Sequence, residues 1–417
     1  MTSKNWSGNY EYRARRLELP GSIEELQDLV AAADRIKALG SRHSFTDIAD
    51  SSGSQISLTR LPAVLEVDAA SRTVTVGAGI RFGEFAKRLD DDGWALHNLA
   101  SLPHISVAGA IATGTHGSGD GNGALPTAVA ALELITASGE LRRLGRGESG
   151  FDGTVVSLGA LGVVTAVTLD IEPTFEVRQD VFENLGWAEL REHFDEITSS
   201  AYSVSVFTLW GDVGGTTVWL KSRLDGDTAA AERDDLFGAA KQTTQLHPLP
   251  GGPSANATQQ SGVPGPWWDR LAHFRMGFTP SAGEELQTEY LVPREHAVAA
   301  IDAMRALGPS IAPYLLIAEI RTMRADDLWL SPAYGRDTIG LHFTWRQEDA
   351  VLGLLSTIDA ALAPFQARPH WGKVFDTDPS RLDSVYPRLA DFRSLAEQMD
   401  PSGKFRNDYL DRTVFAG

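Results

Sequence analysis

The chain of 417 residues contains no cysteine. That excludes a disulfide framework, cysteine-ligated zinc or iron–sulfur clusters, a cysteine nucleophile and any cysteinyl link to a cofactor. Basic residues are scarce as well: 37 Lys+Arg against 55 Asp+Glu leave a formal net charge of −18, and the cations are scattered singly or in pairs among carboxylates. Nucleic acid, whose phosphates need clustered Lys and Arg, is therefore not an expected partner. No stretch approaches the ~18 uninterrupted apolar residues of a membrane span. The opening residues MTSKNWSGNYEYRAR carry no apolar signal core. A cytoplasmic protein without a membrane partner, expected as a monomer, follows from this reading.

Several mechanistic motifs are missing too. Neither Gly372-Lys373 nor Gly403-Lys404 is followed by Ser or Thr, so there is no P-loop. Gly77 and Gly79 follow a strand pattern, but the next glycine is Gly83 and no acid stands about 20 residues on, which disfavours a nicotinamide fingerprint. No G-x-S-x-G occurs, against a serine hydrolase. The 10 histidines include no H-E-x-x-H, and His97, His104 and His116 share no helix pattern, so no metal site is expected.

With 42% hydrophobic residues and 22% charged, the composition is that of a globular protein. At roughly 150 residues per domain, the length suggests two or three. Ser22 and Glu25 open a helix whose Ile23, Leu26, Leu29 and Val30 fall at helical spacing. A short strand over 35–39 follows, then hairpins over 64–76 and 129–144, with the Gly-dense SVAGAIATGTHGSGDGNG between them. FDGTVVSLGALGVVTAVTLDIEP runs from helix into strand and closes at Pro173. Beyond it the strands lengthen: 204–210, 216–220, 286–291, 315–322 and 339–345, with helices over 295–307 and 349–362. The Pro/Gly-rich stretch 226–266 reads as irregular loop. The expected units are 1–173, 174–375, and 376–417 returning to the first.

Period-two alternation sorts the later strands by face. Glu319 and Arg321 share one face against Ala318 and Ile320; His342 and Thr344 share one against Leu341, Phe343 and Trp345; Gln287 and Glu289 share one against Leu286, Thr288 and Tyr290. Such a polar face is ordinarily half solvated. If it closes over a ligand instead, its matched donors and acceptors suit a polyol.

The segments GSRHSF (40–45), ASLPHISVAGAIATGTHGSG (100–119), SLGALGVV (157–164), LQTEYLVP (286–293), EIRT (319–322), HFTW (342–345) and RPHWGKVF (368–375) together resemble the vanillyl-alcohol oxidase type of FAD enzymes, and within it the bacterial alditol oxidases. The resemblance spans nearly the whole chain. It implies an α+β, two-domain FAD-binding fold with an antiparallel-sheet cap domain over the flavin.

It also implies FAD bonded covalently through His43, although the resemblance does not say which ring nitrogen makes the bond. Backbone around Ser41, Arg42, His43, Ser44 and Phe45, together with the run holding Gly109, Thr113, Gly114, Thr115, His116 and Gly117, would cradle the pyrophosphate. Ser101 would sit beside the flavin, and Gly159, Gly162 and Val164 would meet the adenine end. The implied reaction oxidises the terminal hydroxyl of xylitol- or sorbitol-like alditols to aldoses, with O2 reduced to H2O2. Arg321 and Glu319 would hold and polarise the reacting hydroxyl, with the Arg321 fork shared between substrate and Glu319. Lys373 and His342 would complete the catalytic group, while Ser101, Gln287 and Thr344 bind the remaining hydroxyls. The alternatives are a sugar-1,4-lactone oxidase or dehydrogenase of the same fold, and a flavin-binding electron-relay module without turnover.

Overall fold

Alternating β-branched residues build the first sheet. Leu65–Asp68 and Thr73–Gly77 pair as an antiparallel hairpin that buries Val74 and Val76, and Asp68 Oδ1 accepts the backbone N–H groups of Ala70 and Ser71 in the turn. Val163–Asp170 and the hairpin Val129–Ile135/Leu141–Gly145 extend it to a five-stranded antiparallel sheet. A second, three-stranded sheet is parallel, with Ser54–Ile56 between Arg16–Glu18 and Ile36–Ala38. The helix Ile23–Ala32 starts at Ser22, whose side chain accepts the Glu25 N–H, and it buries Leu26 and Val30. This computed structural model describes residues 4–211, 216–225, 233–278 and 283–416; part of the 226–266 stretch lies outside them. The remainder of that stretch holds only short strands and one turn of 3-10 helix.

The long strands beyond Pro173 form a ten-stranded sheet in which every pairing is antiparallel. At its centre Leu315–Met323 pairs with Thr338–Arg346, which pairs in turn with Glu285–Pro293. One face packs its Leu286, Tyr290, Ile320, Leu341, Phe343 and Trp345 under the helices Ala297–Ala306 and Asp349–Leu362. The opposite face is buried as well: Glu289 is 1% exposed, Thr344 3% and Glu319 4%. The half-solvated reading of that face is thereby overturned, because the sheet is covered on both sides.

Several elements depart from the sequence reading. Glu176–Leu185 is a ten-residue strand inside the large sheet, and Phe82–Asp91 is a helix. In the Gly-dense stretch, Val107–Ala112 is helical, burying Val107, Ala110 and Ile111. Together the sheets and helices make an α+β fold.

The C-terminal segment packs back on the first sheets. Phe405 is fully buried in a cluster with Leu26, Val30, Ile36, Ile56, Ile135 and Val163, while Tyr409, Leu410 and Val414 join the larger core around Val74 and Val76. Lys37 Nζ donates to Phe405 O at 3.1 Å. Phe405→Ala is expected to cost about 3–5 kcal/mol, as emptying a filled aromatic site does. Chemical denaturation should show a lower midpoint at unchanged slope; a cost below about 1 kcal/mol would mean that the tail does not anchor these sheets.

Candidate active site

A cavity of about 570 Å³ runs between the first sheets and the polar face of the large one. From the first sheets its wall is the 40–45 loop and Ser57, Leu58, Gly159, Gly162 and Val164; from the large sheet it is Gln287, Glu289, Glu319, Arg321, His342, Thr344 and, on the turn after the sheet, Lys373, and the two parts meet where Phe45 N–H donates to Gly372 O at 2.9 Å. Gly109, Thr113 and Thr115 also line it, and Ser101 and His116 line it against Arg321 and Glu289. Gly114 and Gly117 are not on its wall. They pack against Pro332 and against Leu99 and Asn98, so their expected place in a pyrophosphate cradle is corrected.

The 40–45 loop is shaped for close approach. Arg42 takes a left-handed backbone (φ +66°), and a Cβ on Gly40 would lie 2.5 Å from Ser106 Oγ. Ser41 and Ser106 lock the two segments reciprocally, N–H to Oγ, at 3.2 and 2.9 Å. Both ring nitrogens of His43 are buried without a hydrogen-bond partner, and the ring stacks on Trp6 at 5.4 Å. Burial lowers the His43 pKa to about 4, so the imidazole is neutral. A buried ring with an unshared lone pair, facing an elongated cavity with small residues behind it, fits a flat, electrophilic cofactor ring.

The sheet side is ionic. Glu289, with its side chain fully buried, takes Arg321 Nη2 on one oxygen at 2.6 Å and Lys373 Nζ on the other at 2.5 Å, with His116 Nε2 3.3 Å away. Arg321 extends Nη1 to Ser101 Oγ at 3.4 Å, and its Nε stands 3.7 Å from Glu319. The main partner of the Arg321 fork is thus Glu289 and not Glu319, which corrects the expected pairing. Glu319 instead accepts from His273 Nε2 at 2.8 Å. Lys373 Nζ also donates to His342 Nδ1 at 2.8 Å, and His342 Nε2 meets Thr344 Oγ1 at 3.0 Å. Gln287 donates to Glu285 Oε1 at 2.6 Å.

Register explains the cluster. Glu319 pairs with His342, and His342 with Glu289, so three neighbouring strands present these side chains in one row. Gly340, opposite Arg321, leaves the space: a Cβ there would come to 3.0 Å from Glu289 Oε1.

Burial pushes the Glu289 carboxyl up, but Arg321, Lys373 and His116 together outweigh it and hold it well below 4.5. Glu319 is likewise pushed up by burial and brought below 4.5 by Arg321 and His273. Burial draws Lys373 down from 10.5 and His342 well below 6.5. His116, Glu289 and His370 also bring ligand atoms within 4.8 Å of one another. Since Arg321 and Lys373 occupy the Glu289 oxygens, an added divalent cation would face two cations there.

Glu289, His273, Lys221 and His370 were not among the candidate residues. Alternation puts Glu289 on the Gln287 face, which was its signal; His273 and Lys221 carry none, since a loop and another strand deliver them.

Fold and cavity define a class: an α+β protein whose small-residue loops and charged sheet face together enclose room for an extended cofactor. Comparison with known proteins agrees. A family described as FAD binding domain matches residues 14–145, and one described as D-arabinono-1,4-lactone oxidase matches 282–413. An alditol oxidase of a Streptomyces species is 50% identical over 97% of both chains. An L-gulono-1,4-lactone dehydrogenase of Mycobacterium tuberculosis is 30% identical over 98% of both. Among solved structures, cholesterol oxidase from B. sterolicum superposes with a TM-score of 0.78 over 99% of this chain and 96% of its own, at 14% identity, and so shares the fold. The chain belongs to the alditol oxidase family, within the vanillyl-alcohol oxidase type of FAD enzymes.

Glu289→Gln keeps the side-chain volume but strips the charge between two buried cations, and should destabilise the fold by about 3–5 kcal/mol. A variant within about 1 kcal/mol of wild type would show that Lys373 is neutral in the folded protein. The folded-state values of Glu289 and Glu319 lie below the unfolded one. Their stabilisation is therefore complete above 4.5 and drains away as pH falls below it. Acid titration of stability should show a shallower loss for Glu289→Gln than for wild type; equal slopes would contradict the depressed carboxyl.

Proposed function

We propose that this protein oxidises the terminal hydroxyl of alditols such as xylitol and sorbitol to the aldose, with O2 reduced to H2O2. The observation that carries the reading is the buried row of Glu289, His342, Glu319 and Arg321 facing the cavity. Full-length identity of 50% with an alditol oxidase supports it over the lactone alternative, where identity is 30%. A relay module without turnover would have no use for a buried, ionised row of side chains on the wall of the cavity.

Bound FAD supplies a two-electron acceptor for the hydride and a route for those electrons to O2. The chain does the rest. Residues 1–173 and 376–417 hold the cofactor in this proposal, and 174–375 cover it. Ser41, Arg42, Ser44 and Phe45 would supply backbone along it, and His43 would hold it covalently, its neutral ring carrying a lone pair free for such a bond. Gly109, Thr113, Thr115, His116, Gly159, Gly162 and Val164 would also hold it. Glu319 accepts from the reacting hydroxyl and Arg321 donates to it. Lys373 and His342 complete that contact, while Ser101, Gln287 and Thr344 pair with the other hydroxyls. An unmatched hydroxyl leaves a buried group unpaired at about 1–3 kcal/mol, which is how such a site selects polyols. We also propose a monomer, since the exposed large apolar residues Leu141, Val263, Phe278 and Leu352 come from separate segments.

Two experiments test this. Acid-precipitated protein should stay yellow, and His43→Ala should lose the colour; a white wild-type pellet would refute the covalent bond. With xylitol, Glu319→Gln and Arg321→Ala should each lower kcat by on the order of 10²–10³, beyond any rise in KM. Arg321→Lys should also be costly, because a point charge cannot serve Glu289 and a substrate oxygen together. If both variants keep wild-type kcat at full flavin content, the face plays no part in the chemistry.

A further inference from the structure

Beside Glu319, on the side away from Glu289, lie two buried polar residues without a role in the reaction above, one of which, His273, lines the cavity. Lys221 lies in the strand Thr216–Arg223, and His273 in the loop that follows the helix Trp267–Arg270; they are 1% and 5% exposed. Lys221 Nζ has three neighbours: Leu271 O at 2.5 Å, Ala272 O at 2.9 Å and His273 Nδ1 at 3.1 Å.

An ammonium carries three protons and accepts nothing, and two of these neighbours can only accept. If Nδ1 takes the third proton, the ring's own proton is on Nε2, which points at Glu319 Oε1 from 2.8 Å. Every polar atom in the row then has its partner: Lys221 donates three times, His273 accepts once and donates once, and Glu319 accepts as a carboxylate. With the ring flipped to carry its proton on Nδ1, that proton would face the ammonium, and two lone pairs would meet at Glu319. Edge contacts to Phe207 and Trp219, both at 5.4 Å, hold the ring plane. Burial lowers His273 to about 4, so its ring is neutral. Burial also draws Lys221 down to about 7 against the pull of Glu319, and the three acceptors around Nζ favour its charged form.

We propose that Lys221 and His273 are positioning residues that hold Glu319 as an ionised acceptor aimed at the reacting hydroxyl. The inference rests on the reading that Glu319 contacts that hydroxyl. The His273 backbone N–H donates to Ser101 O at 3.1 Å and the residue lines the cavity, but its side chain meets the proposed catalytic group at the Glu319 carboxylate, and the charge and tautomer of the pair set which way the carboxylate lone pairs are free.

The test is a double-mutant cycle read in the anaerobic reduction of the holoenzyme by xylitol. His273→Phe removes both hydrogen bonds, and His273→Gln keeps an N–H donor at the Nε2 end. His273→Phe should lower the limiting reduction rate by on the order of 10²-fold while the apparent Kd for xylitol changes less. His273→Gln should recover most of that loss. In a Glu319→Gln background the His273→Phe change should cost less than about threefold, because its target is gone. An equal cost in both backgrounds would overturn the relay while leaving the role of Glu319 intact. A wild-type rate for Glu319→Gln alone would overturn the functional reading and the relay with it. Independently of turnover, nitrogen NMR of histidine-labelled holoenzyme should show the His273 ring neutral and protonated on Nε2, assigned by its absence in His273→Gln. A proton on Nδ1, or on both nitrogens, would refute the proposal.

Discussion

The Glu289 carboxylate, with its side chain fully buried between Arg321 and Lys373, is the constraint on which the site depends. Burying an isolated ion costs several kcal/mol, and two cations with good geometry offset that where one exposed pair would not. The consequence is directional. Because Glu289 takes Nη2 of Arg321 at 2.6 Å, the other edges of the guanidinium are left with looser contacts, 3.4 Å to Ser101 and 3.7 Å to Glu319. The tight pair fixes the fork, and the loose edges are the ones a substrate hydroxyl can satisfy. A site in which Arg321 were spent on Glu319 would have neither group free for a ligand.

The two walls of the cavity differ in chemistry because different elements supply them. On the first-domain side the wall is loop and short helix with small residues, so backbone and one neutral imidazole face the ligand. On the sheet side the wall is long paired strands, whose register sets side-chain spacing more rigidly than a loop can. In the proposed reaction, Glu319 and Arg321, which act on one hydroxyl, stand on the rigid element, and the groups that would embrace a large cofactor stand on the adaptable one.

What was legible in the sequence follows the same division. Alternation in EIRT, HFTW and LQTEYLVP placed Glu319, Arg321, His342, Thr344 and Gln287 on one face, since period two survives whatever the strand packs against. The strand Glu176–Leu185 was hidden by its polar Arg178, Gln179 and Asp180: Arg178 and Asp180 pair with each other along the strand, Lys241 of a neighbouring strand reaches Asp180 at 3.0 Å, and buried Gln179 donates to Thr258 O at 3.3 Å in a distant loop. The helix Val107–Ala112 was hidden by its glycine and alanines, which read as loop when counted by composition. Partnerships were less legible than positions: Arg321 was expected with Glu319, two residues away, and found with Glu289, 32 away. A cross-strand partner is set by register, which no single strand's sequence contains.

The same reasoning explains why the polar face can be so dense in charge without unfolding the sheet that carries it. Glu289, Glu319 and Arg321 stand on strands whose opposite face is clamped by Tyr290, Ile320, Leu341, Phe343 and Trp345 against two helices, while Lys373 comes from the turn after the short strand Arg368–Pro369. That apolar burial, worth about 1.5–3 kcal/mol for each large side chain, is unconditional. The ionic row is conditional on protonation and on every partner being present. Placing the two on opposite faces of the same strands lets the apolar face hold the register while the charged face meets its ligand, so the groups that must respond to a substrate are not the ones that keep the strands in place.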